Sequence, residues 1–79
     1  MTEVEIEYCV PCGFRERAIE VERAVLNGVE SDLDRLVLTM GDHGVFEVRV
    51  DGEPVYEKSE DDYDVDDIVR RIRDSITEP

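Results

Sequence analysis

Val4-Glu5-Ile6-Glu7-Tyr8-Cys9-Val10-Pro11-Cys12-Gly13-Phe14 changes its period in mid-course. Val4, Ile6 and Tyr8 alternate with Glu3, Glu5 and Glu7, the two-residue repeat of a strand with one buried face. Cys9 to Gly13 is turn chemistry. From Phe14 the spacing becomes helical, with Phe14, Ala18, Val21 and Val25 on one stripe and Arg15, Glu16, Glu20 and Arg23 opposite. Asn27-Gly28 predicts the stop of this helix, because glycine adopts the left-handed C-terminal cap without strain.

Residues 33–39 form a second strand candidate. Its run Leu36-Val37-Leu38 predicts burial on both faces. Gly41-Asp42-His43-Gly44 is a loop, after which Phe46, Val48 and Val50 alternate with Glu47 and Arg49. Asp51-Gly52 is a strong hairpin signal and joins this strand to Val55-Tyr56, where Pro54 predicts a sheet edge. Residues 57–62 are a polar loop. A last helix carries Val65, Ile68, Val69, Ile72 and Ile76 on one stripe, with Asp64 as its cap. Asp66 and Asp67 in its first turn and Arg70, Arg71 and Arg73 further along suit the helix dipole. The order is βαβββα. A parallel pairing of the first two strands demands a right-handed crossover, and the later strands form an antiparallel hairpin. The expected fold is a small α/β two-layer sandwich.

At 79 residues the chain has room for a single domain, and its 41% hydrophobic content is enough for one small core. Asp plus Glu number 22 against 9 Lys plus Arg, a net charge of −13 that repels phosphates and argues against nucleic acid as a partner. No apolar run reaches the ~20 residues of a membrane span, so no membrane role is expected. The acidic start Met1-Thr2-Glu3-Val4-Glu5 lacks the basic and apolar regions of a signal peptide, and a cytoplasmic protein is expected. Lys58 is the single lysine among nine basic residues, and acidic residues fall on every segment. Such a surface repels itself at moderate salt but is screened when the Debye length falls to ~3 Å at molar salt. The composition therefore reads as adaptation to a salt-saturated cytoplasm, with an acidic docking surface for a basic partner as the alternative. No apolar patch stands out, and a monomer is expected.

Both cysteines lie in Cys9-Val10-Pro11-Cys12, after a strand and before a helix. A thiolate at a helix N-terminus is stabilised by the dipole and by free backbone N–H groups. Pro11 fixes φ where the helix is about to begin. In a cytosolic chain with a βαβ pattern this spacing points to thiol–disulfide exchange. In the thioredoxin-like scheme Cys9 is the more exposed thiol and attacks a substrate disulfide, and Cys12 resolves the mixed disulfide. The net charge opposes thiolate formation, so local groups matter, Arg15 or Arg17 among them.

Three other readings compete. A purely structural disulfide over so short a loop gains little. In a binding module instead, Cys9 and Cys12 dock a protein partner or hold zinc, with His43 as the third ligand and a fourth lacking unless a second copy supplies it. Two inert core cysteines are the last alternative. No cofactor or metal is called for. His43 reads as an exposed loop residue, or as an aid to proton transfer if its loop lies beside the cysteine turn. Glu60-Asp61-Asp62, with Asp64, Asp66 and Asp67, lacks the spacing and glycine of a calcium loop and reads as a solvated face. Tyr8, Phe14 and Phe46 read as core.

Three segments together resemble the selenoprotein W-like (Rdx) family in its Cys-x-x-Cys form. They are Val4 to Cys12 with Arg17-Ala18, then Gly44-Val45-Phe46-Glu47-Val48 with the hairpin Val50 to Tyr56, and the helix from Asp67 to Arg73. The resemblance implies a thioredoxin-like βαβββα fold with a mixed four-stranded sheet and two helices. It implies a redox role for Cys9 and Cys12, with a protein or a low-molecular-weight thiol or disulfide as partner. In selenium-containing members the second motif position is selenocysteine, which makes the position of Cys12 reactive too. Together with the acidic composition it suggests a halophilic archaeon as source. No proline precedes the Phe46 strand, so His43-Gly44 stand where thioredoxin has its cis-proline.

Overall fold

A computed structural model describes residues 2–58 and 63–77. Strand β1 (Glu3–Cys9) leads to helix α1 (Arg15–Val29), a 3-10 turn at Glu30–Asp32, and strand β2 (Arg35–Gly41). Strands β3 (Phe46–Val50) and β4 (Glu53–Glu57) follow, and helix α2 (Val65–Thr77) closes the chain. The sheet order is β2-β1-β3-β4, with β1 parallel to β2 and antiparallel to β3. The expected element order and mixed sheet are both present.

The two-residue repeat of β1 does the sorting. Val4, Ile6 and Tyr8 pair with Val50, Val48 and Phe46 of β3, and all six are buried against the helices. From α1 come Ala18, Val21, Val25 and Val29, and from α2 come Ile68 and Ile72. Each buried Val, Ile or Phe among them contributes on the order of 1.5–3 kcal/mol by leaving water, which is how a domain this small holds together. The start of β1 is clamped on both sides. The Thr2 N–H donates to Asp34 Oδ2 at 2.8 Å, and the Glu3 N–H donates to Asp51 Oδ1 at 2.9 Å.

The hairpin follows the sequence closely. Asp51 and Gly52 have φ of 51° and 88°, the two successive left-handed residues of the turn that matches strand twist. Pro54 lies on an edge strand, as expected. Asp64 caps α2 by accepting from the Asp67 N–H.

Two expectations need correction. Gly28 does not stop α1, which runs on through it to Val29. A Cβ at Gly28 would lie 3.2 Å from Val69 Cγ1 and 3.3 Å from Arg73 Nη2, so the glycine lets α2 approach. β2 is not buried on both faces, because it is the other edge of the sheet. Leu36 and Leu38 turn toward the helix layer, Val37 turns to the open face, and all three are half-buried. Of the polar loop at 57–62 and the acidic run at 60–62, residues 59–62 lie outside the described residues. No helix is long and apolar enough to cross a membrane among the described residues.

Candidate functional site

The cysteine motif stands at the C-terminal end of β1. Cys9 is the last residue of the strand. The Gly13 N–H donates to the Val10 carbonyl at 3.3 Å, closing a turn with Pro11 at its second position. Proline pre-sets φ there, and Gly13 takes the left-handed φ of 77° that follows. Phe14 is the N-cap of α1 and offers no side-chain acceptor to the helix. Cys12 therefore stands three positions before the first helical residue, outside the helix rather than in its first turn.

Cys9 and Cys12 are joined as a disulfide, with their Cα atoms 5.4 Å apart. Their exposures differ completely. Cys9 is 0% exposed, whereas Cys12 lies open on the turn. This reverses the expectation that Cys9 is the more exposed thiol. The reason is the connection between β2 and β3, which folds along the end of β1. The Cys9 N–H donates to the Val45 carbonyl at 2.8 Å, and the Val10 N–H donates to the Gly41 carbonyl at 3.1 Å.

The same connection brings the His43 loop beside the motif. The ring of His43 is 89% exposed, its Nδ1 is 2.6 Å from Asp42 Oδ1, and its backbone is left-handed at φ 60°. Arg15 is also open to solvent, and its Nε is 3.9 Å from Glu16 Oε1. Arg15 follows the motif in the chain and His43 reaches its side through the fold, each with an acidic partner of its own.

Sequence reasoning missed the group on the helix side of the turn. The Phe14 ring packs edge-on against Phe46, which packs in the same way on Tyr56 and Tyr63, with centroids 6.0–6.1 Å apart. The Arg17 guanidinium lies over Phe14 at 5.2 Å and over Tyr63 at 5.0 Å, and the Lys58 ammonium lies over Phe14 at 5.4 Å. The single lysine of an acidic chain therefore lies over the ring of Phe14, a residue two positions along the chain from Cys12. Each such contact is worth about 0.5–1 kcal/mol at an exposed site. The Tyr63 hydroxyl donates to Glu20 Oε1 at 2.5 Å. Burial, then this bond to Glu20, pushes the Tyr63 phenol well above its ordinary value. Helical spacing from Phe14 to Arg17 was the one signal for this cluster, since Lys58 and Tyr63 come from distant segments.

A second group missed from sequence occupies the open face of the sheet. Arg49 sets Nη1 2.9 Å from Glu5, Nη2 2.5 Å from Glu7 and Nε 3.1 Å from Glu47. Bonding to Glu7 holds the Arg49 guanidinium above its ordinary value, with burial acting against it. The Thr39 hydroxyl donates to Glu5 at 2.6 Å, and this bond together with Arg49 lowers the Glu5 carboxyl, again against burial. Strand parity was the available signal, since all four charged residues are odd-numbered neighbours across β1 and β3. Among the described residues, no three His, Cys, Asp or Glu side chains gather as a metal site.

A four-stranded mixed sheet under two helices, with a Cys-x-x-Cys disulfide at the end of its first strand, defines a thioredoxin-like fold of the selenoprotein W type. The Rdx family matches residues 3–74, and the chain belongs to that family. Among solved structures, a protein of Bordetella parapertussis is similar at 25% identity and a TM-score of 0.86, covering 94% of this chain and 96% of that one. A selenoprotein W-related protein from Vibrio cholerae is similar at 22% identity and a TM-score of 0.86, covering 95% and 96%. None of the curated proteins matches the chain.

Proposed function

We propose that the protein is a thiol–disulfide exchange protein in which Cys12 attacks and Cys9 resolves. One observation carries the assignment of roles: the exposed sulfur is that of Cys12, and the buried one is that of Cys9. In the reduced protein the Cys12 thiolate attacks a disulfide R–S–S–R′, forms Cys12–S–S–R and releases R′S⁻. The Cys9 thiolate then attacks the Cys12 sulfur and releases RS⁻. Two electrons have passed to the substrate, and the Cys9–Cys12 bond remains. Membership of the Rdx family supports redox chemistry of this type. Lys58 and Arg17 over Phe14 support a locally cationic setting, which favours a thiolate in a chain of net charge −13. The substrate is a protein or low-molecular-weight disulfide, and His43 and Arg15 are candidates for assisting the leaving thiolate.

The test is trapping with a mixed-disulfide probe. Cys9→Ser leaves Cys12 able to attack and unable to be resolved, so it accumulates a stable adduct. Cys12→Ser leaves a buried thiol and labels slowly. Equal trapping by both variants sinks the assignment of roles. A wild-type couple outside about −300 to −120 mV, the span of known exchange proteins, sinks exchange itself.

The acidic surface reads as adaptation to a salt-rich cytoplasm. It rests on a net charge of −13 with a single lysine. Screening at molar salt shortens the Debye length to ~3 Å and relieves the self-repulsion. The melting temperature is expected to climb steadily from low to molar KCl, and a flat titration removes this reading.

A further inference from the structure

The two edges of the sheet are unlike. β4 carries Pro54, has an irregular register against β3 between Val48 and Arg49, and is packed by α2. Each of these blunts an edge. β2 has none of them. Its residues from Arg35 to Gly41 pair with β1 in unbroken register, Arg35 is its only charge, and Met40 is 70% exposed. The Arg35 N–H donates to the Thr2 carbonyl, and the Gly41 carbonyl accepts from Val10. Odd-numbered residues of β2 thus turn their backbone groups toward β1. The parallel ladder then turns the N–H and C=O groups of Leu36, Leu38 and Met40 outward.

We propose that this edge pairs with β2 of a second copy, antiparallel about a two-fold axis at Leu38. Leu38 then faces its own mate and Leu36 faces Met40. Every outward-turned residue opposes another, and each such pair exchanges two hydrogen bonds. Leu36, Leu38 and Met40 share the helix side of the sheet with Val4, Ile6 and Tyr8. The helical layers of both copies therefore lie on one side of a continuous sheet, and apolar side chains meet across the seam.

Charge selects the register on the open face, where Val37 meets Thr39 and Arg35 meets Gly41. A Cβ at Gly41 would lie 2.8 Å from Glu7 Oε2, so the glycine leaves the Glu7 carboxylate lying over its backbone. Arg35 of one copy comes opposite that carboxylate in the other, with Asp42 next along the chain. Arg35 makes no ion pair among the described residues. The two-fold axis repeats the contact, placing opposite charges together in a molecule that otherwise repels its own kind. A slip of one residue turns the apolar set to the wrong face. A slip of two sets Arg35 opposite Thr39 or beyond the strand. The dimer departs from the monomer expected of the sequence and makes no use of the redox chemistry.

The test is sedimentation equilibrium of the whole protein in molar KCl, with the Cys9–Cys12 bond intact, alongside amide exchange over the same concentrations. The mass is expected to rise from 9.1 kDa toward twice that value. The amides of Leu36, Leu38 and Met40 are expected to gain protection in step. Met40→Lys and Arg35→Glu, both at exposed positions, are expected to weaken association by about tenfold each, with the melting temperature of the monomer unchanged. A mass that stays at 9.1 kDa up to millimolar protein overturns the proposal. So does a dimer that ignores both variants, or one whose new protection falls on β4.

Discussion

Alternate residues of β1 belong to opposite regimes. Val4, Ile6 and Tyr8 are sealed beneath two helices, while Glu5 and Glu7 stand on a face that no described element covers. The first face is held by non-directional removal of apolar surface, which tolerates any partner of suitable volume. The second is held by one cation. Arg49 is only 21% exposed and answers three carboxylates, so its geometry is specific and its loss is not shared by neighbours. A sheet with one bare side can therefore be acidic on that side only because a single arginine organises it.

Single substitutions tell the two faces apart. Phe46→Ala should have the largest effect, about 3–5 kcal/mol, because the ring is buried and three other aromatic rings lean on it. In a domain of this size that is a fall in melting temperature on the order of 12 °C or more, the same at low and high salt. Arg49→Met should cost about 1–3 kcal/mol, because Glu5, Glu7 and Glu47 then face one another unanswered. Unlike the first, this loss should shrink in molar salt and below the carboxylate range of pH. A salt-independent loss would make Arg49 a packing residue and erase the contrast between the faces.

Thr39→Val should have the smallest effect, about 0.5–1.5 kcal/mol at neutral pH, from the lost hydroxyl bond to Glu5. The Glu5 carboxyl is lowered in the fold, so its contribution is present above the ordinary value of 4.5 and is lost as pH falls through the lowered one. Thermal melts of wild type and variant should therefore converge in acid. Curves that stay parallel from neutral to acid would show that the valine changes packing rather than the state of Glu5.

Much of the fold is legible in residue order. The alternation of β1, the Asp51-Gly52 turn and the stripe of α2 are local signals, and the structure follows each of them. The failures share a cause, which is that long-range neighbours decide the outcome. Gly28 looks like a stop until Val69 and Arg73 are placed against it. Leu36-Val37-Leu38 looks like a central strand until β1 takes the centre. At the site, the Cys-x-x-Cys turn was plain, yet the burial of Cys9 depends on Val45 folding across it. Lys58 and Tyr63 reach Phe14 and Arg17 only through the tertiary fold.

The placement of β1 also bears on the order in which the chain acquires its structure. Val4 pairs with Leu36 on one side and Val50 on the other, so the first strand waits for two partners more distant in the chain than any other pairing requires. Contacts of such separation form slowly, because the loop entropy is lost before the contact rewards it. The β3–β4 hairpin, closed by two residues, has no such wait. Folding should then run backwards along the sequence, with the hairpin as a template onto which the older segment zips. Cys9 at the end of β1 and Cys12 on the turn beyond it would both be open to oxidants over that interval, and the difference between them would begin only when Val45 arrives.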